Sequence, residues 1–199
     1  MRKLALIALA ALASGCVTMN ESMLRVPPVQ PLSKAVVVET RVGEFTQSRN
    51  GEGKNDGVFG NTSLANQVNT LLMGRWKSKD IVAQYGAPGD LKMPPDYTFT
   101  LSGNRNEDSS ILGAMVSGFT LMLLPSTTTL IYDLKADLAD NRTGKHYQAQ
   151  AKNGVTTVME ILFLPAVPFS WLGSHHAFND LADVLYEQFR AQGAFPAAH

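Results

Sequence analysis

Residues 127–138 read TTTLIYDLKADL, and DNRTG at 140–144 and KHYQAQA at 145–151 follow closely. Leu130, Tyr132, Leu134, Ala136 and Leu138 fall on one side. Thr129, Ile131, Asp133, Lys135 and Asp137 fall on the other. A period of two with one apolar and one polar side is the pattern of a strand with a buried face and a wet face. DNRTG supplies a hairpin turn with Gly144 at its left-handed position. The returning stretch puts Tyr147, Ala149 and Ala151 on the buried side. Such a hairpin needs an apolar cover for one face only, which points to helices packed on one side of an antiparallel sheet.

Working outward, AVVVETRVGEF at 35–45 is β-branched and alternating, a first strand. TQSRNGEGKNDGVFGN after it is polar and rich in Gly and Asn, a long mobile loop. From Thr62 to Arg75, Leu64, Val68, Leu71, Leu72 and Trp76 form one helical stripe. SKDIVAQYGAP reads as a second, short helix, capped by Ser78 and stopped by Gly86 and Pro88. DYTFTLSG at 96–103 is another strand. The last helix runs from about His175 to Gln192, capped by Ser174, with Phe178, Leu181, Leu185, Tyr186 and Phe189 on its apolar side and Gly193 at its end. This order predicts an α+β two-layer sandwich over residues 34–199: a mostly antiparallel sheet of about four strands with helices on one face.

The other decisive stretch is the N-terminus, MRKLALIALAALASGCVTMN. Arg2 and Lys3 precede an apolar run, Leu4 to Leu12, that is short of the ~20 residues a membrane-spanning helix needs. Ala13, Ser14 and Gly15 are small, the layout of a secretory signal. They lead into Cys16, the single cysteine of the chain. Leu12-Ala13-Ser14-Gly15-Cys16 resembles the lipobox of bacterial lipoproteins. That resemblance implies removal of residues 1–15, attachment of diacylglycerol to the Cys16 thiol, and acylation of the new amino group with a chain such as palmitate. Val17 stands where aspartate would hold such a protein at the inner membrane, which implies the outer membrane, facing the periplasm. Residues 16–33 contain Pro27, Pro28 and Pro31 and read as a lipidated, flexible tether. Roughly seventeen residues at ~3.1 Å each would reach about 50 Å. The element order also resembles domains of periplasmic lipoproteins such as the N-terminal domain of TolB, a likeness of architecture that carries no function.

Two uncharged stretches interrupt the sandwich: ILGAMVSGFTLMLLP at 111–125 and ILFLPAVPFSWL at 161–172. Counting strand directions places both at the same end of the sheet. They read either as core strands or as a shared surface for a membrane, a protein partner or a second copy, with Leu121, Leu123, Phe163, Phe169 and Trp171 as its contacts. Their length, and Pro165 and Pro168, argue against spanning a membrane.

The formal net charge is +0 at pH 7, so no basic excess attracts nucleic acid. No cofactor is implied. His175, His176, Asp180 and Asp183, with His146, are the candidates for a metal site, and His176, Asp180 and Asp183 share a helical face; polar residues at a helix start explain them as well. Asp96 or Asp108 with Glu160 is the remaining carboxylate pairing to test, and there is no G-x-S-x-G motif. The expectation is a non-enzymatic adaptor or assembly factor of the cell envelope; the alternative is a periplasm-facing carrier of a lipid or other apolar ligand.

Overall fold

The structure is a computed structural model. It describes residues 15–20, 24–26, 28–29, 32–50, 52–54, 57–109, 126–160 and 170–195. Within these, strands β1 (Gly15–Asn20), β2 (Val36–Arg49), β3 (Glu52–Lys54), β4 (Val82–Gly86), β5 (Tyr97–Ser109), β6 (Ser126–Asp140) and β7 (His146–Glu160) alternate with helices α1 (Gly57–Ser78) and α2 (Ser170–Ala191).

The hairpin read from the sequence is the centre of the sheet. β6 and β7 pair antiparallel from Ser126↔Met159 to Ala139↔His146. At its turn, the Asp140 carboxylate accepts from the Arg142 amide at 2.9 Å, and Gly144 has φ 70°. β5 joins β6 antiparallel. The buried positions alternate as predicted, with Leu134, Ala136, Leu138, Ala149 and Ala151 all buried.

Beyond β5 the expectation needs correcting. The seven strands form one mixed sheet in the order β1-β7-β6-β5-β2-β3, with β4 also on β2. β2 runs parallel to both β5 and β4, so the sheet is larger than about four strands and is not simply antiparallel. The cause is α1. It carries the chain back along the sheet after β2, and a helical crossover returns the next strand in the same direction.

α1 starts earlier than predicted and absorbs part of the supposed loop; of its other described residues, 46–49 extend β2 and 52–54 form β3, antiparallel to it. Its buried face comprises Ala65, Val68, Leu72, Met73 and Trp76, while Leu71 is 37% exposed. The short helix expected after it is the strand β4. Asp80, with φ 57°, ends α1 in a Schellman motif: the Ile81 amide donates to the Trp76 carbonyl at 3.0 Å and the Asp80 amide to the Lys77 carbonyl at 3.2 Å. Ser78, read as a cap for the next helix, instead donates to the Arg75 carbonyl at 2.7 Å. The same motif closes α2, where the Ala194 amide reaches the Phe189 carbonyl at 3.0 Å around Gly193 at φ 82°.

Both helices lie on the apolar face, α1 over β2 and β4, α2 over β7 and β1. Trp76 is the hub. It is fully buried, its ring meets Phe99 at 5.4 Å and Tyr186 and Phe189 at 6.2 Å edge-on, and its Nε1 donates to the Ala182 carbonyl at 2.8 Å. Phe195, just past α2, packs on Tyr97 and Tyr186, and the Tyr97 hydroxyl donates to the Ala194 carbonyl.

The expected tether is different too. Residues Gly15–Asn20 are β1, antiparallel to the end of β7, and Leu24, Val29 and Leu32 pack half-buried against the core. Within the stretch predicted to swing free, residues 16–20 are therefore paired and Leu24, Val29 and Leu32 are packed. The backbone of 16–20 finds partners in the open edge of β7.

Candidate functional site

The register draws one end of the sheet together. Ser126, the first residue of β6, pairs with Met159, and Met159 also pairs with Cys16. Ser109, the last residue of β5, pairs with Thr128 two residues along. β7 ends at Glu160, opposite Gly15. The end of β5, the start of β6 and the end of β7 therefore lie at one end of the sheet, and Cys16 sits there with them; the stretches 111–125 and 161–169 lie outside the described residues.

That end is cross-linked on both faces. On the helix side, Arg49 and Glu107 approach to 3.6 Å, and the Arg49 guanidinium donates to Ser109 Oγ at 3.2 Å. The Ser109 amide donates to Asn50 Oδ1 at 2.9 Å, and the Asn50 amide to the Glu107 carbonyl at 2.7 Å. On the open face, Ser48 Oγ donates to Asn106 Oδ1 at 2.9 Å, Asn104 Nδ2 donates to Thr46 Oγ1 at 2.8 Å, and Thr129 and Thr156 join hydroxyl to hydroxyl at 2.7 Å. Burial pushes the Tyr132 phenol up, opposed by neighbouring Arg105. Sequence reasoning missed this network because it ended β2 at Phe45 and read Thr46 onward as loop. The alternation of Thr46 and Ser48 with Gln47 and Arg49 was the available signal.

Of the residues expected at the site, Leu121, Leu123, Phe163 and Phe169 lie outside the described residues. Trp171 belongs to the first turn of α2, which begins at Ser170 rather than after a Ser174 cap. Cys16 is in β1.

The candidate metal ligands do not assemble. His176 is exposed near the start of α2. Asp183 is committed to Arg75, which donates Nε to Oδ1 at 2.9 Å and NH2 to Oδ2 at 2.6 Å. That hydrogen bonding, opposed by burial, raises the guanidinium above its ordinary value. His146 is at the opposite end, 2.9 Å from Asp137. It is seven β7 positions from Asn153, which holds the Ala177 carbonyl beside His176 at 3.3 Å; seven strand steps span roughly 23 Å. Among the described residues, no group of three His, Cys, Asp or Glu side chains is placed to hold a metal.

The carboxylates are likewise separated. Asp96 accepts from the Val37 amide at 2.9 Å at the start of β5, the far end of the sheet from Asp108 and Glu160. Burial pushes the Asp140 carboxyl up, but the Arg142 and Thr143 donors outweigh it and hold it below its usual value. The Tyr186 phenol, buried in the helix layer, is pushed up to about 12. These polar groups serve the fold.

Hollows open to solvent among the described residues include one of about 600 Å³ lined by Thr100, Ser102, Lys135, Asp137, Gln150 and Gln188, one of about 120 Å³ lined by Leu32, Val36, Tyr97, Asp96 and Arg142, and a shallow one of about 730 Å³ along α1 at Thr62, Ser63, Asn66, Gln67, Thr70 and Leu71. None of the three is an enclosed apolar chamber of the ~300–1,000 Å³ that small-molecule sites favour.

No protein-family model matches the sequence, and no curated protein matches it. Solved structures show a distant likeness. A DUF330 protein of Xanthomonas campestris aligns over 89% of this chain and 97% of its own at 10% identity, with a TM-score of 0.45. A Caulobacter crescentus protein described as a lipoprotein aligns over 80% and 93% at 13% identity, with a TM-score of 0.36. PelC from Paraburkholderia phytofirmans, a dodecamer, aligns over 82% and 96% at 16% identity, with a TM-score of 0.33. Similarity this distant transfers neither activity nor assembly to this chain.

Proposed function

We propose that the chain is a lipoprotein anchored through Cys16 in the outer membrane, facing the periplasm, and that it works by binding, as an adaptor or assembly factor of the cell envelope. The observation that carries this reading is LASGC: a basic, apolar and small-residue leader ending on the single cysteine. Lipidation uses up a thiol that would otherwise be free in an exported chain. A binding role is supported by the two uncharged stretches, 111–125 and 161–172, whose apolar and aromatic residues suit a contact surface.

Growth with a palmitate analogue tests the anchor. The chain takes up label and sediments with membranes, and Cys16→Ser loses both; an unlabelled wild-type chain rejects the reading. Leu121→Ser with Leu123→Ser, and Phe169→Ser with Trp171→Ser, test the contact surface by crosslinking in the membrane. Complexes unchanged by both pairs, in a folded domain, would refute the adaptor role. A lipid co-purifying with the domain in native mass spectrometry would replace the adaptor by a carrier.

A further inference from the structure

We propose that the domain stands end-on upon the bilayer, with the β1–β7 end at the lipid headgroups and the Asp140–Gly144 turn pointing away. This rests on the lipid-anchor reading and deepens it by fixing which surface meets the membrane. An anchored cysteine says nothing about orientation if a linker follows it. Here none does. Cys16 pairs with Met159, and the next four residues pair in turn with Val158, Thr157, Thr156 and Val155. The acyl chains on Cys16 therefore leave from the end of the sheet, beside the last residues of β7 and the first of β6. The strands climb from there. β6 pairs continuously from Ser126 to Ala139, so the turn beyond it lies about 45 Å along the sheet from the anchor.

The described surface at that end is polar. Thr127, Thr128, Thr129, Thr156, Thr157 and Ser109 provide hydroxyls there, Arg49 and Arg105 stand against Glu107 at 3.6 and 3.9 Å, and Asp108 is exposed. Lys145, His146, Arg142 and Asp137 stand at the opposite end. The occupant is thus a bilayer surface held by covalent lipid.

Single-cysteine labels test the orientation cleanly, because lipidation consumes Cys16. Asp108→Cys reports the proposed membrane end and Thr143→Cys the far turn; both positions are exposed. Each lipidated, labelled chain is placed in vesicles of phosphatidylethanolamine and phosphatidylglycerol carrying a headgroup-linked quencher. The label at 108 is quenched several-fold more than the label at 143. Equal quenching of the two in chains that float with the vesicles overturns the end-on seat and leaves the anchor standing. Chains that carry no lipid and do not float overturn the anchor itself. No other protein is present, so a contrast cannot come from a partner covering either label.

Discussion

Two residues in the same conformation make opposite predictions. Asp80 and Gly193 each occupy the left-handed position that closes a helix, at φ 57° and φ 82°. Gly193 adopts it without strain, whereas a side chain there meets the following carbonyl. Asp80 has a side chain, and it adds a negative charge to the negative end of the α1 dipole. Asp80→Gly should therefore stabilise the domain by about 1 kcal/mol, and Gly193→Ala should destabilise it by about 1 kcal/mol. Urea unfolding of the two variants beside the parent checks both signs at once. Equal or same-signed effects would mean that the two helix ends are not the matched pair their hydrogen bonds describe.

At the scale of elements, the sequence was most legible where one face is wet. β6 alternates cleanly because Lys135 and Asp137 must face water while Leu134 and Leu138 must not. β4 was misread because Val82, Ala83, Gln84, Tyr85 and Gly86 are too few to establish a period, and Ser78 and Gly86 imitate helix caps. A feature that no periodicity could announce is the treatment of the bare β7 edge below β1. Gln188 accepts from the Gln150 amide at 2.9 Å and donates to its carbonyl at 2.8 Å; Gln192 does the same for Gln148 at 3.2 and 2.7 Å. The fit is geometric: four helical residues rise about 6 Å and two strand residues about 6.7 Å, so i and i+4 on α2 meet j and j−2 on β7. The side-chain amides stand in for a neighbouring strand and block edge pairing between molecules. Replacing both glutamines by alanine should lower stability by roughly 1–2 kcal/mol, since these bonds are partly exposed to water. It should also produce concentration-dependent association in light scattering. A double variant that stays monomeric at high concentration would show that the edge needs no such cover.

For the whole molecule, the meeting of the end of β5, the start of β6 and the end of β7 at one end of the sheet was legible because strand direction depends only on counting elements. The β1 pairing was not. Residues 16–20 read CVTMN, too short to stand out beside a signal sequence and followed by prolines that read as linker. The structure makes β1 part of the sheet, and so the proposed anchor residue Cys16 is also a residue of the fold. Two non-lipidated chains separate these roles: one beginning at position 16 with Cys16→Ser, the other at Glu21. If β1 were tether, they would unfold alike. Because β1 pairs along Gly15–Asn20 and α2 packs against it, the shorter chain should be less stable by roughly 2–4 kcal/mol, the net worth of several backbone hydrogen bonds. Its loss should be local in hydrogen exchange, with amides of Val155–Glu160 losing protection while the Leu134–Leu138 ladder keeps it. The bared β7 edge should also drive dimerisation of the shorter chain alone. Identical melting and identical exchange at 155–160 would detach β1 from the sheet, and would remove the basis of the end-on stance proposed above.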